Sequence, residues 1–487
     1  MDTPPAPGWF DRSRTVAGPG YDRWLVPPAA LAIHLAIGSV YAFSIFDRPL
    51  HSLIDGPPEA NWSEGLVGWV FSVAIVCLGL SAAVFGLWLE RAGPRKAMTA
   101  AAICFGGGLL VAAVGVEFHQ FWLVLLGYGV LGGVGLGLGY ISPVSTLIKW
   151  FPDRPGLATG LAIMGFGGGA MVGAPLARAL IDRFKSTGSG TNGVAETFAV
   201  LGLGYAAFML FGAVTVRVPP ARDGAGKAAD GVTPAEAVRT RRFWLLWAIL
   251  FLNVTAGIGL LEKASSMVQD LFPGRVTATA AAGFVGLLSL FNMAGRFGWS
   301  SFSDRIGRRA TYSIFFLVGA ALYAALPVAG ADGDVVLFVL GSGLILTMYG
   351  GGFATIPAYL RDRFGTAYVG AIHGRLLTAW SAAGIVGPAL MNTTRQAQLD
   401  AGVPSAATYA LPLYLYAGLL AAGFVCNALV GPAAAPGGAK PATAAATAGP
   451  TGLGRHWPTL AFRWAFVGVP LGWGVSQTVL KALALFR

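Results

Sequence analysis

Hydrophobic stretches of about 20 residues recur along most of the chain, with short polar segments between them. Each stretch is long enough for an α-helix to cross roughly 30 Å of hydrocarbon. Twelve stretches follow one another closely, and a thirteenth stands near the end of the chain. The predicted spans cover residues 25–46, 65–88, 98–117, 121–147, 156–181, 197–216, 243–261, 278–302, 311–329, 335–359, 367–391, 407–431 and 461–485. This pattern predicts an all-α membrane protein.

Two polar breaks divide this series into parts. Residues 218–242, rich in Ala, Gly and charge, follow the sixth span and separate six spans from the next six. Residues 433–455 form a low-complexity Ala/Pro/Gly/Thr stretch, which is typical of a flexible tether and makes the thirteenth span an appendage. The predicted organisation begins with an N-terminal segment (1–24), a six-helix bundle (25–217) and a linker (218–242). A second six-helix bundle (243–431), a flexible linker (432–460) and an additional transmembrane helix (461–487) follow.

Composition agrees with a membrane protein and excludes several functional classes. Hydrophobic residues make up 55% of the chain and charged residues 11%, whereas about 25% of residues in soluble proteins are charged. The net charge of +11 is not concentrated in a basic cluster interleaved with aromatic residues, so no nucleic-acid partner is predicted. The sequence contains no P-loop, catalytic triad or metal-ligand cluster, so we predict neither an enzyme nor a cofactor or metal.

The distribution of positive charge predicts the orientation of the chain. Of the 33 Lys and Arg residues, 21 lie outside the predicted spans on the side of the N-terminus, and seven lie outside them on the opposite side. Cytoplasmic loops of membrane proteins are enriched in Lys and Arg. We therefore predict a multi-pass protein of the plasma membrane, as in a bacterial inner membrane, with a cytoplasmic N-terminus.

Two loops at a fixed separation indicate that the halves are duplicated. Residues 90–95 read ERAGPR and residues 304–309 read DRIGRR, at an offset of 214 residues. The same offset carries the glycine pair at 156 and 160 onto that at 370 and 374. The loop charges are candidates for a cytoplasmic gate that locks neighbouring helices, although they could also serve topology alone. The candidate gate residues are Glu90, Arg91, Arg95, Asp304, Arg305 and Arg309.

Arg296 is the principal candidate for ligand binding, because it lies inside the eighth apolar span. A guanidinium at the centre of a membrane helix costs roughly 3 kcal/mol or more unless it faces water, a partner or a substrate. A carboxylate ligand is one explanation, and an internal pair with Glu262 is the alternative. Asn292 lies one helical turn away and could orient the guanidinium.

Several motifs, taken in order, carry a family resemblance over residues 25–431. These are GSVYAFSIF at 38–46, the glycine run at 135–139 before Tyr140, WFPD at 150–153, GLATG at 156–160 and FGTAY at 364–368. They resemble the oxalate/formate antiporter family of the major facilitator superfamily, which is related to the monocarboxylate transporters. The chain from Arg455 onward is similar to a small one-helix subunit of such carriers.

The resemblance implies a transporter of small carboxylates that works by alternating access, with Arg296 as the substrate-binding arginine. It further implies an aromatic cage, although each aromatic residue taken singly could simply be packing. The cage candidates are Tyr41, Tyr140, Phe166, Tyr349, Phe353 and Trp380. The oxalate-transporting member of the family has a lysine at the position of Trp380, and related monocarboxylate carriers often have an acid at that of Asn292. With one fixed cation, this chain is expected to prefer a monocarboxylate such as lactate, pyruvate, formate or glycolate.

Proton coupling is open at this stage. His34, Glu262 and His373 are the candidate proton carriers, and structural roles are the alternative for each. The predicted function is monocarboxylate transport by a monomeric unit in the lipid bilayer, as proton symport or anion exchange. The alternatives are exchange of oxalate or another dicarboxylate, a proton-driven drug exporter of the same fold, and a non-transporting membrane sensor.

Overall fold

The computed structural model describes residues 8–53, 61–188, 190–220, 231–431 and 453–482. Parts of the predicted N-terminal segment and of both linkers lie outside these described residues. The described chain is helical, apart from short turns and isolated bridges. The first half comprises α1 (Pro27–Gly38), α2 (Ser44–His51), α3 (Glu64–Ala92), α4 (Pro94–Glu117), α5 (Phe121–Val124), α6 (Gly133–Trp150), α7 (Pro155–Ser186) and α8 (Val194–Thr215).

The second half repeats this arrangement and a last helix follows it. It comprises α9 (Pro234–Ala237), α10 (Arg241–Leu271), α11 (Ala278–Ile306), α12 (Arg308–Ala331), α13 (Val335–Phe364), α14 (Val369–Leu376), α15 (Thr378–Asp400) and α16 (Ala410–Leu429). The last helix is α17 (Leu453–Ala482). The prediction of an all-α membrane fold with two related bundles is confirmed.

Within the described residues, ten helical segments are long and apolar enough to cross a membrane. They coincide with ten of the thirteen predicted spans. The other three predicted spans correspond to α11, to the pair α14 and α15, and to α17. The eighth span carries Arg296, and the eleventh is broken at Leu377. That α17 crosses the membrane stays a prediction.

The 214-residue offset found in the loops also relates whole helices. Adding 214 to the bounds of α3 gives those of α11, and adding it to α4 gives α12. The turns between these helices match as well, because Gly93 and Gly307 have φ of 83° and 86°. This left-handed conformation strains residues with a side chain, which explains why glycine stands at both positions. The halves therefore share one helix arrangement.

The two halves meet along two seams related by the same offset. Along one seam, α7 of the first half packs on α11 of the second, and along the other, α3 packs on α14 and α15. The helices α1, α6 and α13 lie next to these seams. Side chains from both halves can therefore meet between the bundles, where Arg296 projects from α11.

The last helix, α17, packs on the body at the α7–α11 seam. It contacts α7 and α1 of the first half and α11 of the second. Arg463 donates to the carbonyl oxygens of Leu25 and Thr215, at 3.0 and 3.4 Å, and to the Tyr21 hydroxyl at 3.1 Å. The side chain of Leu471 lies over Gly168 of α7. The predicted appendage thus lies against the body and contacts both bundles.

Candidate substrate site and cytoplasmic gate

Arg296 is completely buried between the two bundles. Its Nε donates to Asn292 Oδ1 at 2.9 Å, which orients the guanidinium from one turn earlier in α11. The ring centres of Phe166 and Phe353 lie 5.6 and 5.0 Å from the guanidinium carbon, on opposite sides of the seam. Gly167 of α7 leaves room for this side chain, because a Cβ there would lie 3.0 Å from Nε. The guanidinium is thus held in a fixed position among aromatic rings.

The outer nitrogens of Arg296 lack acceptors in the described part of the chain. Nη1 and Nη2 are both buried, and neither donates a hydrogen bond to a described residue. The hydroxyl groups of Tyr41 and Tyr140 lie beside the guanidinium without meeting hydrogen-bond geometry at these two nitrogens. Buried donors are normally paired, and an unpaired buried charge is costly. Two unused donor nitrogens on one guanidinium are chemically suited to an anionic ligand.

The six aromatic residues predicted as a cage are brought together around this guanidinium. Tyr41, Tyr140 and Phe166 come from the first half, and Tyr349, Phe353 and Trp380 from the second. Trp380 is the centre of the group, with its ring centre 4.6 to 6.4 Å from those of Phe353, Phe166, Tyr140 and Tyr41. The hydroxyl groups of Tyr41 and Tyr349 are 3.4 Å apart across the seam.

Two of these aromatic residues add polar hydrogens to the cage. The hydroxyl of Tyr140 and Nε1 of Trp380 are buried and lack partners among the described residues. Tyr140 and Trp380 belong to opposite halves, and their ring centres are 5.5 Å apart. The sequence indicated Trp380 as part of the aromatic cage and gave no sign that its Nε1 would lack a described partner, because pairing depends on neighbours from other helices. The cage therefore combines aromatic faces with an excess of hydrogen-bond donors.

The alternative partner for Arg296, Glu262, is engaged elsewhere. Glu262 accepts a hydrogen bond of 2.9 Å from Asn392 and lies 3.5 Å from Lys263. None of the ion pairs among the described residues includes Arg296. The structure thus does not form the internal pair, and it places Glu262 outside the cage contacts.

His34 lies behind the cage in the first half. Its Nδ1 contacts the carbonyl oxygen of Ala162, and its Nε2 lies 3.1 Å from that of Tyr140. A neutral imidazole donates one hydrogen bond, and an imidazolium donates two. Because each ring nitrogen faces a carbonyl oxygen of another helix, His34 links α1 to α6 and α7, in agreement with the structural alternative for this residue.

His373 lies on α14, next to the cage. It is buried, and neither ring nitrogen has a hydrogen-bond partner among the described residues. Its ring centre is 5.8 Å from that of Tyr140, across the seam that α14 and α15 form with α3. Of the three candidate proton carriers, His373 is thus the one that lies beside the cage with both ring nitrogens unpaired among the described residues.

The gate candidate Asp304 connects the two halves at the end formed by the repeated loops. Its carboxylate accepts hydrogen bonds of 2.9 Å from the backbone nitrogens of Gly156 and Leu157, at the start of α7. Arg308 pairs with Asp304 at 2.5 Å and with Asp362 at 3.2 Å. A carboxylate at a helix N-terminus satisfies free N–H groups and complements the helix dipole. We call these contacts of Asp304 with α7 and Arg308 the latch.

The equivalent position in the first half has a different partner. Glu90 accepts from Lys149 at 2.8 Å, while its other oxygen is buried without a partner among the described residues. Gly370, the counterpart of Gly156, lies beside that oxygen across the second seam. The two ends are thus related in position but not in bonding.

Among the described residues, the remaining gate candidates have no hydrogen bond or ion pair that joins the two halves. Arg95 donates to the carbonyl of Trp9, and Arg309 donates to that of Ala428, at 3.0 and 2.9 Å. Arg91 and Arg305 are exposed. Arg308, which holds the latch, was missed because its counterpart in the first half is Pro94 and the repeat therefore does not reveal it.

Solved structures of transporters share this fold. The chain matches the fucose transporter FucP in its outward conformation with a TM-score of 0.64 and 16% identity, over 84% of this chain and 100% of that one. It also matches the human organic anion transporter MFSD10 with a TM-score of 0.57 and 14% identity, over 84% of this chain and 100% of that one. At these identities the likeness establishes the helix arrangement.

Sequence relatives include carriers of organic acids. The oxalate:formate antiporter of Oxalobacter formigenes is 28% identical over 76% of this chain and 84% of its own length. Apicoplast pyruvate carrier 1 of Toxoplasma gondii is 24% identical over 63% of this chain and 65% of its own. The MFS-type transporter YhjX of Escherichia coli is 28% identical over 70% and 81%. The model of the Major Facilitator Superfamily matches residues 20–388, and the chain, a multi-pass membrane protein, belongs to that family of transporters.

Proposed function

We propose that this transporter carries a small monocarboxylate, with Arg296 as the group that binds the carboxylate. The observation that carries the proposal is the pair of buried, unpaired nitrogens of Arg296. Two parallel N–H donors match the two oxygens of a carboxylate, and the surrounding rings exclude water that would weaken the interaction. The names of an oxalate:formate antiporter and a pyruvate carrier among the relatives support an organic acid as substrate.

The charge of the cage favours one carboxylate over two. Arg296 supplies one permanent cation, and the other groups of the cage are neutral aromatic residues and Asn292. A second carboxylate in this buried place would keep its charge without compensation, which costs several kcal/mol. We therefore expect lactate, pyruvate, formate or glycolate to be carried in preference to oxalate.

The same charge favours exchange over proton symport. An empty cage leaves a buried, unpaired guanidinium, whereas a bound monocarboxylate neutralises it. The loaded carrier should therefore pass through its occluded state more easily than the empty one, so that one anion returns for each anion carried. For the orientation, the positive-inside distribution supports a cytoplasmic N-terminus, with the latch at the cytoplasmic end.

Counterflow in proteoliposomes tests this function. The vesicles are loaded with one candidate acid, and entry of a labelled monocarboxylate or of oxalate is compared with and without the internal acid. We expect monocarboxylate entry to require an internal anion and to fall at least about a hundredfold in Arg296→Gln. Arg178→Gln is the control, because it removes a charge from an exposed pair with Asp182. Unchanged counterflow in Arg296→Gln would refute the assignment.

A further inference from the structure

A basic cavity lies in the second half, on the same side as the latch. It has a volume of about 590 Å³ and opens to the surface between the α11–α12 turn and the end of α13. Its wall includes Gly307, Arg308, Arg309, Tyr359, Asp362 and Arg363. We call it the turn cavity. It is distinct from the aromatic cage, because the two share no residue.

The turn cavity has more positive than negative charge. Arg308 is engaged by Asp304 and Asp362, but Arg309 and Arg363 have no ion pair with a described acid. Arg309 donates instead to the Ala428 carbonyl, and Arg363 donates to the Gly431 carbonyl, through one nitrogen each. With Asp362 as the acid in the wall, three arginines leave an excess of positive charge.

Arg363 has donors that the described protein does not use. Its Nε and Nη1 are buried and lack hydrogen-bond partners among the described residues. The guanidinium carbon lies 5.3 Å from the ring centre of Tyr359, another residue of the cavity wall. This contact with the ring restricts the plane of the guanidinium, and its unused donors suit a ligand with several oxygens once the side chain turns toward the cavity.

The turn cavity has room for a large anionic group. Its volume is enough for a phosphate ester with its substituent. Arginine forks match phosphate oxygens, and basic pockets at the cytoplasmic ends of transmembrane helices attract anionic lipid head groups.

We propose that the turn cavity binds an anionic phosphate group, which Arg309 and Arg363 hold by charge-assisted hydrogen bonds. The phosphate is carried by an anionic phospholipid or by a soluble phosphate. Through Arg308, which lines the cavity and pairs with Asp304, the site adjoins the latch. The proposal does not depend on the identity of the transported acid.

Thermal unfolding of the purified full-length protein in detergent tests the site. The protein is titrated with short-chain phosphatidylglycerol, with inorganic phosphate, or with phosphatidylcholine, whose own choline compensates the phosphate charge. We expect saturable stabilisation by phosphatidylglycerol or inorganic phosphate, and none beyond that of detergent by phosphatidylcholine. Stabilisation by phosphatidylglycerol alone identifies a lipid as the source, and stabilisation by phosphate alone identifies a soluble ligand.

Three variants locate the binding. Arg309→Gln and Arg363→Gln should each weaken the apparent affinity about tenfold, and Asp362→Asn should tighten it, because it removes the acid of the wall. Arg178→Gln should bind like the wild type. Arg309 is exposed, so its variant is expected to fold even if Arg363→Gln does not. Equal affinities in Arg309→Gln and the wild type, or the same response to phosphatidylcholine as to phosphatidylglycerol, would overturn the proposal.

Discussion

Asn292 determines the electrical state of the cage as much as Arg296 does. It holds Nε of Arg296 through a neutral amide oxygen, so the guanidinium keeps its full charge. A carboxylate one turn before the arginine would neutralise it within the protein. Under the proposed function, an amide at this position leaves the negative charge to be supplied by the substrate, whereas an acid would supply it from the protein.

Replacing Asn292 with Asp should convert part of the exchange into net uptake. The new carboxylate neutralises Arg296 in the empty carrier, which lowers the cost of returning without an anion. Protonation of the acid should then free Arg296 for substrate, so net uptake should rise as the external pH falls. The measurement is labelled acid uptake into vesicles without internal anion over a range of pH. Uptake that still requires an internal anion at every pH would contradict the exchange model.

Trp380 should control the number of carboxylates that the cage accepts. Trp380→Lys adds a second cation beside Arg296 and is expected to raise the ratio of oxalate to monocarboxylate counterflow at least about tenfold. Trp380→Phe is the matched control, because it removes the Nε1 donor while keeping a neutral ring. We expect this control to lower affinity without favouring oxalate. An unchanged ratio in Trp380→Lys would show that charge in the cage does not select the substrate.

At the scale of helices, the latch connects the end of α11 to the start of α7. Asp304 accepts hydrogen bonds from the backbone N–H groups of Gly156 and Leu157. These groups lie in the first turn of α7, where the helix offers them no backbone acceptor. The sequence indicated this acid because its loop is repeated, but the repeat could not identify the partner. Bonding at the equivalent Glu90 differs because Glu90 pairs with Lys149, whereas Asp304 pairs with Arg308. Arg363, the residue equivalent to Lys149, has no ion pair with a described acid and lines the turn cavity instead.

Loss of the Asp304 charge should open the seam at this end. In Asp304→Asn the amide can accept fewer hydrogen bonds and no longer pairs with Arg308. We therefore expect the state in which the latch is formed to lose about 2 kcal/mol of stability relative to the open state. The measurement is the rate of maleimide labelling at Ser300→Cys, a buried position below the latch, in a chain without Cys77, Cys104 and Cys426. Asp182→Asn serves as the control. Equal labelling rates in the chain with Asp304 and in Asp304→Asn would contradict a latch at this position.

The last helix, α17, contacts both bundles, and we expect it to support assembly of the folded protein. Its contacts with α1, α7 and α11 bury the Val467 side chain and engage Arg463. Removing residues 432–487 should therefore lower the amount of folded protein in the membrane more than the turnover of each folded molecule. Membrane abundance and counterflow per molecule are measured separately, with Arg463→Gln as a milder variant. Normal abundance with lost counterflow would assign α17 to transport instead.

At the scale of the whole molecule, the duplicated architecture was predictable and the asymmetric chemistry was not. Hydrophobic spans and repeated loops follow local rules of length and pattern, which is why the bounds of α3 and α11 agree with one offset. Arg296 could be singled out because charge is costly in a membrane. The break at Leu377, the free donor of Trp380 and the position of α17 depend on contacts between distant segments, which one sequence does not reveal.

The most direct measurement of the central claim is an experimental structure of the protein bound to an acid that it transports. The account predicts carboxylate oxygens within about 3 Å of Nη1 and Nη2 of Arg296, with the rest of the acid among the rings of Phe166, Phe353 and Trp380. A structure in which the acid lies elsewhere while protein carboxylates or carbonyls occupy both nitrogens of Arg296 would contradict it.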